Sequence, residues 1–144
     1  MLILHAWVHL RTDKYLLPRT AVLVIAVRLG LRLLSFRTMR LLLAKLPSAP
    51  AGGDRPTVAR IAWTVAHISR FVPGASCLTQ ALAVQVVLRY YHYPHMLRIG
   101  VAKRRNGGLD AHAWIEYDTR IVIGGPAAHV ARYTPLPSLE RWVG

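Results

Sequence analysis

The chain changes its periodicity once, at Tyr93-Pro94, and that change limits its possible folds more than any other feature. Before it, apolar residues recur at helical spacing. Thr57 to Arg70 puts Val58, Ile61, Ala62, Val65 and Ile68 on one face, and an apolar run from Leu78 to Tyr91 follows. After it, Leu97, Ile99 and Val101 alternate through a strand from Met96 to Lys103. Arg104-Arg105-Asn106-Gly107-Gly108 is a basic hairpin loop, and Leu109 to Tyr117 is a second strand. Asp118-Thr119 turns the chain into a third, Arg120 to Ile123, which Gly124-Gly125-Pro126 stops. Helices followed by a small antiparallel sheet make an α+β fold. The length of 144 residues suits one domain, 1–144, with a helical N-terminal part at 1–70 and a core at 71–144.

The helical half is apolar and basic together. Met1 to Val8 is apolar but lacks the basic start and small-residue cleavage site of a signal peptide. His5 and His9, four apart, share a helix face. Thr20 to Leu46 reads as one long helix. Its uncharged part, Thr20 to Val27, is eight residues, whereas a membrane span needs about 20. Arg28, Arg32, Arg37, Arg40 and Lys45 interrupt the rest, so the helix is expected to pack on one side and be basic on the other. A membrane-surface contact is the second option for it. Pro47 to Pro56 is a loop, with Asp54 placed to cap the next helix and Pro56 in its first turn. Trp63 and His67, four apart, can line a cleft or pack in the core, and the core is the expected place. The tail from Arg132 to Gly144 carries Leu136, Leu139 and Trp142 and can dock on the body.

Lys and Arg number 19 against 6 acids, a formal charge of +13. That suits an anionic partner. No nucleic-acid motif and no aromatic–basic interleaving is present, which argues against nucleic acid. Three of the six acids, Asp110, Glu116 and Asp118, fall in one short stretch around His112.

Cys77 is the sole cysteine, so no disulfide framework is possible and a reducing, cytoplasmic location suits the chain. The turn at Pro73-Gly74 precedes it and the helical run follows, which puts Cys77 in the first turn of a helix. Unpaired N–H groups and the positive end of the helix dipole favour a thiolate there. The bland alternative is a buried, inert cysteine. The seven histidines show no ligand spacing with it, so no metal and no cofactor is expected; His92 and His95 flank a helix-breaking Tyr93-Pro94. On the second strand His112, Trp114 and Glu116 share a face, and Trp114 is expected to be core, with a wall of the active site as its other option. A Cys–His pair needs nearness in space only, so a separation of 35 residues is permissible.

Ser-Cys-Leu-Thr-Gln-Ala-Leu-Ala (76–83), Leu-Arg-Ile-Gly-Val (97–101), Ala-His-Ala-Trp-Ile-Glu (111–116), Val-Ile-Gly-Gly (122–125) and Arg-Tyr-Thr-Pro-Leu (132–136) occur in that order. Together they resemble the transglutaminase-like cysteine peptidase of lasso-peptide biosynthesis, the free-standing form of the B component. The resemblance covers the last half of the chain closely and the first half in general character.

It implies a papain/transglutaminase-like core in which Cys77 is the nucleophile and His112 its base. The family's third residue is an Asp about a dozen positions after the histidine; here that position is Gly124, a departure. Asp110, about 7 Å away along the strand, and Glu116, about 13 Å away, are the candidates on the same face; a backbone carbonyl or a water is the other option. The implied substrate is a ribosomally made precursor peptide, whose leader is removed. The implied partners are a small leader-recognition protein, since the chain leaves no room for such a domain, and an asparagine-synthetase-like cyclase that uses the freed amine. Two other readings compete with the peptidase. One is a basic amphipathic membrane- or partner-binding protein without catalysis. The other is an acyltransferase using the same Cys–His pair, since both chemistries share a thioester.

Overall fold

The computed structural model describes residues 2–50 and 54–136, with side chains from Leu16 onward. Helix α1 runs Leu2–Leu33 and α2 Phe36–Leu43; α3 is Val58–Ser69 and α4 Cys77–Tyr90. Strands β1 (Met96–Lys103), β2 (Leu109–Tyr117) and β3 (Arg120–Ile123) follow, then a one-turn helix α5 (Ala127–Val130) and a two-residue strand β4 (Thr134–Pro135). All pairings are antiparallel, and the sheet order is β3-β2-β1-β4. This is the expected α+β architecture, helices first and sheet second.

The single helix expected from Thr20 to Leu46 is two. Ser35 breaks it: its backbone is extended and its hydroxyl accepts from the Thr38 amide at 3.2 Å, starting α2 anew. The cap expected at Asp54 falls to Thr57, whose hydroxyl accepts from the Arg60 amide at 3.1 Å, while Asp54 is exposed. Side chains of His5 and His9, and Leu139 and Trp142 of the tail, lie outside the described residues.

α4 is the centre of the molecule. Ala81, Leu82, Ala83 and Val84 are four consecutive residues with no exposed surface, so the helix is covered on every side. It packs on α1 and α3 through one side and on β2 through the other. Val24 and Val27 of α1, Ile61 and Val65 of α3, and Ile115 of β2 complete that core. Fully burying such side chains stabilises the fold by about 1.5–3 kcal/mol each. Outward, α1 leaves a stripe at helical spacing: Val22, Ile25, Leu29 and Leu33 are 47–81% exposed. No helix among the described residues is long and apolar enough to cross a membrane.

Candidate active site

Cys77 is the first residue of α4, and the local chemistry explains why. Ser76 is extended at the N-cap, and its hydroxyl accepts from the Thr79 amide at 3.3 Å. The preceding turn uses Gly74 with φ +75°, and Arg28 of α1 holds it by donating from Nε to the Pro73 carbonyl at 3.3 Å. One of the arginines expected to form a free basic face thus anchors the turn that starts α4. Gln80's amide bonds the Ser76 carbonyl at 3.0 Å, as a fourth residue should, which leaves the Cys77 amide outside the helix ladder at the helix mouth. The thiol is partly exposed.

His112 sits on β2, opposite Gly100 of β1. Its Nε2 lies in a short hydrogen bond with the carbonyl oxygen of Gly124. A carbonyl only accepts, so Nε2 carries the proton and donates, and the neutral ring keeps its lone pair on Nδ1. The ring is packed on three sides by aromatic neighbours. Tyr133 stacks on it at 5.0 Å between centroids, His129 meets it edge-on at 4.9 Å, and Trp114 lies at 6.1 Å. Tyr133 and Trp114 are themselves buried, in a small second core with Val130. Gly100 permits this packing, since a Cβ there would come within 2.8–3.0 Å of Tyr133 and Trp114. Trp114 is core, as expected, and it also lies beside the His112 ring.

The two acids proposed to orient His112 have other partners. Asp110 accepts from the Tyr133 hydroxyl at 2.9 Å and pairs with Arg104 at 3.5 Å. Glu116 accepts from the Trp114 indole N–H at 3.0 Å and from Arg98 Nε at 3.3 Å. The position where the resemblance leads one to expect an Asp is instead a glycine with φ +116°. A Cβ there would lie 2.4 Å from the Trp114 Cβ and 2.9 Å from its Cα. A side chain does not fit with this backbone, and the backbone's own oxygen reaches the ring.

Tyr133 ties the cluster together. The hydrogen bond to Asp110 holds its hydroxyl above the usual tyrosine range, burial adds to that, and so does the nearness of Cys77. The same bond pulls Asp110 below the usual carboxylate range, with Arg104 and His112 assisting. Cys77, His112, Tyr133 and Asp110 are therefore electrostatic neighbours, brought together by α4, β2 and the segment before β4. Sequence reasoning missed Tyr133 and His129 as neighbours of His112. The alternation of β2 marked Asp110 and His112 as sharing a face, but nothing local shows that the chain returns past them after α5.

Trp63 corrects a second expectation. It is 52% exposed, stacked on His67 at 4.8 Å, and lies on the surface rather than in the core. It lines a groove of about 860 Å³ between α3 and β3, whose lining also includes Gln80 and Gly124-Gly125. Among the described residues no cluster of three His, Cys, Asp or Glu side chains could hold a metal ion.

In comparison with protein families, the model of the transglutaminase-like superfamily matches residues 21–138, most of the chain, Cys77, His112 and Tyr133 included. Among curated proteins and among solved structures nothing matches significantly.

Proposed function

The chain belongs to the transglutaminase-like superfamily, and from that premise we propose that it is a cysteine peptidase that removes the leader from a ribosomally made precursor peptide, working with a separate leader-recognition protein. The superfamily's chemistry is that of cysteine peptidases and acyltransferases. The observation that carries the reading is the fixed tautomer of His112. With Nε2–H committed to Gly124, Nδ1 is the atom left to exchange a proton with the thiol.

In this mechanism Cys77 gives its proton to His112, and the thiolate attacks the carbonyl carbon of the scissile bond. The Cys77 amide at the helix mouth stabilises the oxyanion. The C–N bond then breaks, the leaving nitrogen takes the proton from His112, and a thioester remains on Cys77. Water attacks the thioester while His112 takes its proton, releasing the new carboxylate and restoring the thiol. A charge of +13 suits an acidic leader or an acidic face on the recognition protein.

The test is incubation of precursor peptide and recognition protein with wild type, Cys77→Ala and His112→Ala, read by mass spectrometry. Leader release by wild type alone supports the reading. Release at the wild-type rate by folded Cys77→Ala overturns it. If an added amine captures the acyl group in place of water, the chain is an acyltransferase with the same pair.

A further inference from the structure

The groove between α3 and β3 has two unlike walls. On one side, each residue from Arg120 to Gly125 lines it. Side chains of a strand alternate between faces, so a groove that meets every residue in turn runs along the strand's edge and not over a face. β3 is the outer strand of the sheet, with no strand partner on that side among the described residues. Its edge therefore presents backbone N–H and C=O groups to the groove. The other wall is a stripe of α3, with Ala59, Ala62 and Ala66 leaving width and Trp63 supplying an indole that the core does not use. The four residues of β3 give about 10 Å of that edge, room for about three paired residues of extended chain at about 3.3 Å each.

Resting on the peptidase reading above, we propose that this groove seats the segment of the substrate that follows the scissile bond, added to β3 as an antiparallel strand. The occupant is an extended polypeptide because strand edges bind backbone, and because the groove is tied to the reacting groups through two of its lining residues: Gly124 accepts from His112, and Gln80 follows Cys77 by three positions in α4. The direction follows from the chemistry. His112 protonates the leaving nitrogen, so the segment carrying that nitrogen departs past His112 towards Gly124. Continuing along the edge, it runs opposite to β3, the better-bonded arrangement. Alternate side chains of the segment then meet Trp63 and the alanine stripe.

Peptides carrying an N-terminal chloroacetyl group test this without a known substrate. The Cys77 thiolate displaces chloride to form a thioether, and the attached peptide extends on the leaving side. The comparison is between chloroacetamide and chloroacetyl-Ala-Val-Ala-Val-Ala-amide, by intact mass against time. The pentapeptide should alkylate wild type on the order of tenfold faster, and hydrogen exchange at Arg120–Ile123 should slow in the adduct. N-methylation of alternate peptide nitrogens, Trp63→Ala and Ala66→Arg should each reduce the gain towards one. Equal rates for the two reagents in wild type would overturn the groove while leaving a reactive Cys77 in place. A length gain that survives N-methylation and both variants would also overturn it. A Cys77 no more reactive than free cysteine towards chloroacetamide would overturn the peptidase reading and the groove with it. A concentration-dependent dimer broken by Ala66→Arg, with labelling unchanged, would assign the groove to a second copy instead.

Discussion

The Nε2–H of His112 donates to the carbonyl oxygen of Gly124, twelve residues further on. This backbone oxygen fixes the ring and its tautomer. It brings no full negative charge, so an imidazolium formed at His112 would be stabilised less than beside an Asp.

Restoring the missing carboxylate should therefore fail. Gly124→Asp and Gly124→Ala put a Cβ into the Trp114 backbone at a φ of +116°. Each is expected to destabilise the fold by roughly 2–4 kcal/mol. Thermal unfolding of both variants checks this; a stable, more active Gly124→Asp would show that the backbone adapts and the carbonyl is dispensable.

Asp110 makes no hydrogen bond to His112; its hydrogen bonds go to Tyr133 and Arg104. Tyr133→Phe keeps the ring stack and removes the 2.9 Å hydrogen bond, so Asp110 should titrate higher, nearer an ordinary carboxylate. Because the Asp110 side chain is 43% exposed, the stability change should be small. Asp110→Asn and Glu116→Gln should each slow cleavage less than Cys77→Ala, since neither acid bonds His112. Single-turnover rates and a carboxyl NMR titration supply the readouts, and an Asp110→Asn rate as low as that of Cys77→Ala would refute that ranking.

The sheet was legible because its strands alternate and its turns carry Gly, Asn and Asp; β1, β2 and β3 have the boundaries the pattern predicts. The start of α4 was legible from the turn before Cys77. The break at Ser35 was not, because its neighbours Leu34 and Phe36 keep the apolar run going. Trp63 was placed in the core ahead of a cleft because helical spacing cannot tell a core stripe from the wall of a groove. Tyr133 was invisible as a neighbour of His112, since its position depends on the pairing of Thr134–Pro135 with β1 rather than on any local signal.

Burial lowers the pKa of His95 against a partly opposing hydrogen bond to the Tyr93 carbonyl, with Arg89 adding to the lowering. The neutral ring is thus favoured in the folded state. Its stabilising contribution is full above the unfolded value of about 6.5 and is lost as pH falls from there towards the lowered folded value. Denaturant unfolding of wild type should show stability declining over that window, and His95→Gln should flatten the decline. An identical pH dependence in the variant would contradict this.

Recognition of a leader complex should combine charge with the exposed apolar stripe of α1. Raising ionic strength shrinks the Debye length from about 8 Å at physiological salt to about 3 Å at 1 M. Binding of labelled leader in the presence of the recognition protein should weaken severalfold over that range and persist. Leu29→Glu, on the exposed stripe, should lower the residual high-salt binding. Equal cleavage efficiency without the recognition protein would show that the chain reads its substrate alone.

The central claim is that His112 makes the Cys77 thiol a nucleophile. The direct measurement is the rate of iodoacetamide alkylation of Cys77 at neutral pH, in wild type and in His112→Ala. Wild type should react on the order of tenfold faster than free cysteine, and His112→Ala should fall back to about the free-cysteine rate. Equal rates for the two proteins would contradict the account.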